Sequence, residues 1–205
     1  MRSWLPAGLL SGAALSKVSK FDPIALAAEY NPNPEVIKTL RSFGLSVRTP
    51  AVKASILELA TSDSSEGLSK IKALCEAGAN LEAKDRNGRT PLMLAAQGTS
   101  NVELVNTFIA AEANVNARDK YGNTALIFAS KHPEYYREKI KSAEPYLAIV
   151  KALLAAGADV NAKNRFGDTA LMQMVGFGPN LEIAEILIKA GADVNERNGT
   201  TGRRS

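Results

Sequence analysis

The sequence predicts an all-α solenoid of about five helix-turn-helix repeats. Three ten-residue segments superpose residue by residue, each with a threonine at its fourth position: NGRTPLMLAA ending at Ala96, YGNTALIFAS ending at Ser130 and FGDTALMQMV ending at Val175. A second motif, typified by AGADVNAKNRFG from Ala156, precedes each of them and recurs from Ala190. Self-similarity at such a period indicates stacked repeats, because each unit buries its apolar face only against its neighbours.

The spacing of the repeats gives the domain organisation. Their starts are marked by Asp22, Ser55, Thr90, Thr124 and Thr169, which are separated by 33, 35, 34 and 45 residues. The first two repeats are degenerate, but DPIALAA from Asp22 and SILELAT from Ser55 align with TPLMLAA from Thr90. We therefore expect one repeat domain at 21–198. Its units are expected at about 21–53, 54–87, 88–121, 122–166 and 167–198, with an N-terminal segment at 1–20 and a C-terminal tail at 199–205.

Apolar columns support helices in every repeat. The residue four positions before the end of each second helix is always large and apolar: Leu40, Leu74, Phe108, Leu153 and Leu187. The residue seven positions before it shares the same helical face: Ile37, Ile71, Val105, Val150 and Ala184. In the first helices a small residue recurs at Ala27, Ala60, Ala95 and Ala129, so adjacent helices can approach closely. Met174 breaks this rule in the last repeat, which predicts a terminal capping unit.

Each repeat start carries turn and capping residues. The runs Asp85–Gly88, Asp119–Gly122 and Asn164–Gly167 begin with an Asx residue and end with a glycine, as tight turns require. The threonine that follows is a natural N-cap. Lys20 and Lys53 stand at the glycine position in the first two repeats, so irregular turns are expected there.

The chain resembles the ankyrin repeat family. The resemblance rests on Thr90-Pro91-Leu92 with Ala95-Ala96, on the glycine two residues before each threonine, and on the GADVN runs at 157–161 and 191–195. The histidine of the family pattern T-P-L-H-x-A is replaced by Met93, Ile127 and Met172. The NPNPEVIK run at 31–38 is similar to repeats of bacterial members. The resemblance implies β-hairpin finger loops and a concave face that binds protein partners.

The composition excludes several classes of site. The single cysteine, Cys75, and the single histidine, His132, exclude a disulfide framework and multi-cysteine or multi-histidine metal sites. Cys75 shares a column with Ile109, Leu154 and Ile188 and is interpreted as a core residue. We predict no catalytic residues, no metal ligands and no cofactor, and therefore no enzyme. No apolar stretch is long enough for a transmembrane segment.

Two segments carry open alternatives. Residues 1–16 are interpreted as a capping segment or as a weak secretion signal. A cytoplasmic location is favoured, and a secreted or periplasmic one would follow from a signal. The fourth repeat contains about 11 extra residues within KHPEYYREKIKSAEPY. The insertion at 132–142 either contacts a partner or covers the adjacent core.

The candidate binding residues lie in the fingers and beside them. Two basic columns recur in the last three fingers, with aromatic residues between the outer column and the glycine in two of them. The predicted partner-binding residues are Lys84, Arg86, Asn87, Arg89, Gln97, Arg118, Lys120, Tyr121, Asn123, Lys131, Lys163, Arg165, Phe166 and Asp168. The charges are explained equally well by solubility, whereas exposed rings at Tyr121 and Phe166 favour binding.

The predicted function is a non-catalytic protein-protein interaction module. The basic finger residues lead us to expect a protein partner with an acidic surface. The net charge of +4 is small for a nucleic-acid binder, so no nucleic acid is expected. We expect a monomer. Two alternatives stay open: a regulatory or inhibitory subunit or effector of an enzyme, and weak binding to an anionic surface through the basic finger edge.

Overall fold

A computed structural model describes residues 22–131, 144–177 and 180–198. These residues form ten α-helices and no strand. The helices are α1 Pro23–Tyr30, α2 Glu35–Ser42, α3 Pro50–Leu59, α4 Ser65–Glu76, α5 Pro91–Gly98, α6 Val102–Ala110, α7 Ala125–Ser130, α8 Glu144–Ala155, α9 Ala170–Phe177 and α10 Leu181–Lys189. The predicted N-terminal segment, the insertion at 132–142 and the tail at 199–205 lie outside the described residues, as do Lys20 and His132.

The helices pair in sequence and the pairs stack in order. Each odd-numbered helix packs on the even-numbered helix that follows it. Contacts between repeats join α1, α3, α5, α7 and α9 in one row and α2, α4, α6, α8 and α10 in a second row. This two-layer array confirms the predicted all-α solenoid, in which each unit contacts only its neighbours.

The helix starts follow the predicted capping chemistry. The Thr90 hydroxyl accepts a hydrogen bond from the Met93 N–H at 3.4 Å, and Thr124 caps α7 in the same way. The Met93 sulfur in turn accepts from the Thr90 N–H at 3.4 Å. A thioether is a weak acceptor, so the residue that replaces the family histidine still closes a capping box.

The predicted start of the second repeat is wrong. The first helix of this repeat, α3, begins at Pro50, and its N-cap is Thr49, whose hydroxyl accepts from the Val52 N–H at 3.2 Å. Ser55 therefore lies inside the helix, and the predicted boundary between 53 and 54 cuts it. Lys53 is a helical residue and not part of a turn. The alignment on Ser55 matched the end of the helix, and α3 is longer than α5 at its N-terminal end.

The predicted columns form the core between the repeats. The leucine and phenylalanine column is buried throughout, as are the alanines at 27, 60, 95 and 129. Met174 is also buried, and its sulfur accepts from the Asn180 N–H at 3.3 Å. Among the described residues of the last repeat, Leu181, Ile188 and Val194 are exposed. The charged residues Glu182, Glu185 and Lys189 of the same helix are exposed as well, and the capping role of this repeat stays a prediction.

Candidate partner-binding surface

Three loops, which we call finger 1 (83–89), finger 2 (117–123) and finger 3 (162–168), carry most of the predicted binding residues. Each is a turn organised by the Asx residue at its third position. In finger 1 the Asp85 carboxylate accepts from the N–H groups of Asn87 and Arg89, both at 2.8 Å. Asp119 and Asn164 do the same in fingers 2 and 3. The described fingers contain no assigned strand, and backbone hydrogen bonds within the turn close each of them.

Successive fingers are joined backbone to backbone. The Lys120 N–H donates to the Asn87 carbonyl at 2.9 Å, and the Arg165 N–H donates to the Tyr121 carbonyl at 2.8 Å. Gly122 has φ +78°, and a Cβ there would lie 3.1 Å from the Arg165 nitrogen. The glycine therefore serves two purposes, since it adopts the left-handed conformation and lets the next finger approach.

The inner basic column, which consists of Lys84, Arg118 and Lys163, links the fingers to one another. The Lys84 ammonium donates to the Arg118 carbonyl at 3.2 Å. The Arg118 guanidinium donates to the carbonyl of Lys163 at 2.5 Å, and Lys163 pairs with Glu196 at 2.5 Å. All three side chains already have partners within the chain, so we assign them to finger stacking rather than to a free binding surface.

The residue before each repeat threonine is also used within the chain. Arg89 forms an ion pair with Asp85 at 2.8 Å and donates to the Gln97 side chain at 2.8 Å. Asn123 is buried between Asp119 and Asn164 and bonds to both, so the prediction that it contacts a partner is wrong.

Asp168 occupies the same position in finger 3. It accepts from Gln173 at 2.7 Å and from Asn198 at 2.9 Å. These polar bonds join finger 3 to α9 and to the last loop, where the sequence suggested a contact with a partner.

The outer part of the fingers remains exposed. We call Arg86, Asn87, Lys120, Tyr121, Arg165 and Phe166 the outer finger edge. The rings of Tyr121 and Phe166 are 50% and 55% exposed, although they occupy equivalent positions in neighbouring fingers. The side chains of Arg86, Lys120 and Arg165 make no hydrogen bond or ion pair with the described residues. This edge therefore combines uncompensated positive charge with exposed aromatic surface.

Gln97 and Lys131 lie at the ends of the first helices beside the fingers. Gln97 is exposed and bonded to Arg89, whereas Lys131 is half-buried with its ammonium 5.8 Å from the centre of the Phe128 ring. Burial lowers the pKa of Lys131, and the charges of Asp168 and Asp119 oppose this shift. Lys131 therefore lies close to acidic groups of the protein itself.

Other chemistry is limited in the described residues. Burial, assisted by the charge of Glu76, raises the pKa of the half-buried Cys75 thiol to about 11, as expected of a core residue. The described residues contain no group of three or more histidine, cysteine, aspartate or glutamate side chains that could hold a metal ion. No described helix has the length and apolar character needed to cross a bilayer.

One set of structural residues was not predicted from the sequence. Asn116 donates to the Gly157 carbonyl at 3.0 Å and accepts from the Asp159 N–H at 2.8 Å. Asn161 makes the same two bonds to Gly191 and Asp193 in the next repeat. The signal was the recurring asparagine at the sixth position of the second motif, whose side chain bonds to the backbone of the following repeat.

Comparison with known proteins identifies one related family. The model described as ankyrin repeats (3 copies) matches residues 57–143 and 140–202, which together make up most of the chain. No curated protein matches the chain.

Proposed function

The chain belongs to the ankyrin repeat family, and on this premise we propose that it is a non-catalytic protein-interaction module whose outer finger edge binds an acidic protein surface. Ankyrin repeats generally mediate protein-protein interaction.

One observation carries the proposal: Tyr121 and Phe166 expose about half of their rings at equivalent positions of adjacent fingers. Nothing in the turn requires an aromatic residue there, since finger 1 has Asn87 at this position. Burying such rings in an interface is favourable, by roughly 25 cal/mol per Å² of apolar surface removed from water. Aromatic residues are also among the commonest binding hot spots.

The charges indicate the character of the partner. Arg86, Lys120 and Arg165 lack compensating acidic groups in the described structure, unlike the inner basic column. Positively charged side chains around the two aromatic rings would speed association with a negatively charged protein surface and would repel a positively charged one. Gln97 and Lys131, which lie beside the fingers, would form the rim of this binding surface. Gln97 is bonded to Arg89, and Lys131 lies near acidic groups of the protein itself.

A double substitution, Tyr121→Ala with Phe166→Ala, tests the aromatic part. A partner captured with the wild-type chain from cells that produce it naturally is purified and titrated by calorimetry. We expect the double variant to bind at least about 100-fold more weakly, as loss of two hot-spot residues implies. Its melting temperature should stay close to that of the wild type because both rings are half exposed. Equal affinity of the two proteins would contradict the proposal.

A charge reversal tests the electrostatic part. Arg86, Lys120 and Arg165 are changed to glutamate, and a matched control carries glutamate at the exposed residues Lys53, Lys151 and Lys189. Both variants change the net charge equally, but only the first should weaken binding.

Retention of the wild type on heparin at physiological salt, unaffected by the two ring substitutions, would instead favour the anionic-surface alternative. A captured enzyme whose activity changes on binding would identify the chain as a regulatory subunit.

A further inference from the structure

The loops that follow the second helices are bonded to one another from the second repeat onwards. We number them by repeat: loop 1 is 44–48, loop 2 is 78–82, loop 3 is 112–116, loop 4 is 157–161 and loop 5 is 191–195. Asn116 in loop 3 and Asn161 in loop 4 each hold a carbonyl and an N–H of the next loop, at 2.8 to 3.0 Å. Glu82, at the equivalent position of loop 2, accepts from the Asn114 N–H at 2.9 Å. Loops 2 to 5 therefore form one bonded series.

Loop 1 lies outside this series. Arg48 occupies the equivalent position, and its side chain makes no hydrogen bond or ion pair within the described residues. The Gly78 carbonyl and the Asn80 N–H of loop 2, which correspond to the groups that the asparagines hold, are also unpaired in the described part of the chain. Arg41, in the last turn of α2, donates to the Ala77 carbonyl just before loop 2, at 3.3 Å. Loop 1 is therefore held to its neighbour less firmly than the later loops.

A finger is also missing after loop 1. Gly44 and Thr49, the N-cap of α3, are five positions apart, whereas the loop glycine and the N-cap threonine before α5 and α9 are twelve apart. Finger 1 therefore has no preceding finger on which to stack. Its Arg86 N–H and Lys84 carbonyl are unpaired within the described residues, although the equivalent groups of fingers 2 and 3 are all bonded.

Two cavities lie along the same junction. One, of about 260 Å³, separates Thr49 and Lys53 at the start of α3 from Asn80 in loop 2. The other, of about 500 Å³, lies between α4 and α6, with Cys75 and Thr107 among its walls. Side chains that line a gap lack packing partners on that side, so the second repeat is held less firmly there than by a close-packed contact.

The bonds that cross this junction lie away from the loops. The Asp63 carboxylate, before α4, accepts from the Thr99 hydroxyl and from the Ser100 N–H, the latter at 2.9 Å. On the outer row, the Lys72 ammonium pairs with Glu103 at 2.8 Å, but both side chains are about half exposed and such surface pairs contribute little. The second and third repeats are therefore bonded at one end of their helices and open at the loops.

We propose that the stack consists of two cooperative units, one of α1–α4 and one of α5–α10 with loops 2 to 5, and that the first opens as a unit while the second stays folded. A repeat array is stabilised mainly by contacts between neighbours, so it divides at its weakest junction. This junction lies between described repeats and does not depend on either end of the chain. The outer finger edge lies wholly in the second unit, so the inference is independent of the proposed partner surface.

Native-state hydrogen exchange of the full chain in low concentrations of urea, followed by mass spectrometry of its peptides, tests the division. The amides of α1–α4 should exchange together, at least about 10-fold faster than those of α5–α8, because they open without global unfolding. Equal exchange of the two sets of helices would overturn the proposal. Fast exchange of α1 and α2 alone would also overturn it, because the division would then lie between the first and second repeats.

A restored bridge tests the cause of the weakness. Arg48→Asn places at loop 1 the residue that Asn116 supplies at loop 3, so it can bond to the Gly78 carbonyl and the Asn80 N–H. Arg48→Ala is the matched control, because it removes the same charge and cannot form these bonds. We expect α1–α4 to exchange about 5-fold more slowly in Arg48→Asn than in Arg48→Ala, as a net gain of roughly one hydrogen bond implies, with α5–α8 unchanged. Equal rates in the two variants would overturn the assignment of this weakness to the missing loop bonds.

Discussion

The guanidinium of Arg118 donates a hydrogen bond to the carbonyl oxygen of Lys163, 2.5 Å away in the next finger. The same group also reaches the Gly122 carbonyl at 3.3 Å. We expect Arg118→Met to lower the free energy of unfolding by about 1–2 kcal/mol, because a charged donor is lost while most of the aliphatic stem remains. Urea denaturation measures the change. Lys120→Met is the matched control and should stay within about 0.5 kcal/mol of the wild type. Equal effects of the two changes would contradict a stacking role for Arg118.

Gly122→Ala should be more harmful than Gly157→Ala. Both glycines have positive φ, at +78° and +84°, so both substitutions strain the backbone by about 1–2 kcal/mol. Only at Gly122 does the new Cβ also meet backbone, 3.1 Å from the Arg165 nitrogen, since Gly157 has nothing within 4 Å. Comparing the two free energies of unfolding therefore isolates the cost of separating the fingers. A larger loss at Gly157 would show that the close approach is unimportant.

Asp85 should contribute stability that depends on pH. Burial acts to raise the pKa of Asp85, but the N–H groups of Arg89 and Asn87 and the Arg89 guanidinium together lower it by more, so the pKa lies below its ordinary value. Stability from such a group is present above its unfolded-state pKa and is lost as the pH falls through the folded-state pKa. Asp85→Asn keeps an acceptor for the turn, as Asn164 does in finger 3. We expect it to cost about 1 kcal/mol or less at pH 7 and still less near pH 3.

Denaturant titrations of wild type and Asp85→Asn across this pH range measure the difference. Asp85→Ala serves as the comparison, because it removes the turn acceptor as well and should be costly at both pH values. A stability difference between wild type and Asp85→Asn that stays constant with pH would show that the charge of Asp85 does not contribute.

Cys75 should be unreactive in the folded protein. Its pKa of about 11 lies well above the ordinary value of 9.0, chiefly because the thiol is partly buried. Only the thiolate is nucleophilic, so alkylation by iodoacetamide at pH 8 should be about 100-fold slower than in urea-unfolded protein. Mass spectrometry over time measures both rates. Equal rates in the two states would place the thiol in an open, unperturbed environment.

The sequence predicted the repeat architecture because the physical requirements of a repeat recur. A threonine N-cap, a turn glycine and an apolar column are each visible as a residue type at a fixed spacing, and all appear in the structure. The second repeat was misplaced because Thr49 and Pro50 carry the capping signal, while the alignment followed the small residue Ala60 at the other end of the helix.

The roles of the finger residues were harder to predict. Lys84 and Arg86 have the same charge, lie two positions apart and are both exposed, yet only the Lys84 side chain bonds to the next finger, and that of Arg86 makes no bond within the described residues. Likewise, Asn87 and Asn123 are the same residue type in adjacent fingers, but only the second is buried. Such differences depend on the direction of the side chain relative to the neighbouring repeat, which residue type alone does not encode.

The backbone bonds between fingers fix the spacing of whatever the fingers display. Because the amides of Lys120 and Arg165 are tied to the preceding finger, the two aromatic rings are carried on a scaffold that is already ordered before a partner arrives. If the outer finger edge binds a partner as proposed, binding would cost little backbone entropy, and affinity would depend mainly on the spacing of the partner's contact groups. A partner whose contact groups recur at the distance of one repeat would then bind more tightly than one with a different spacing.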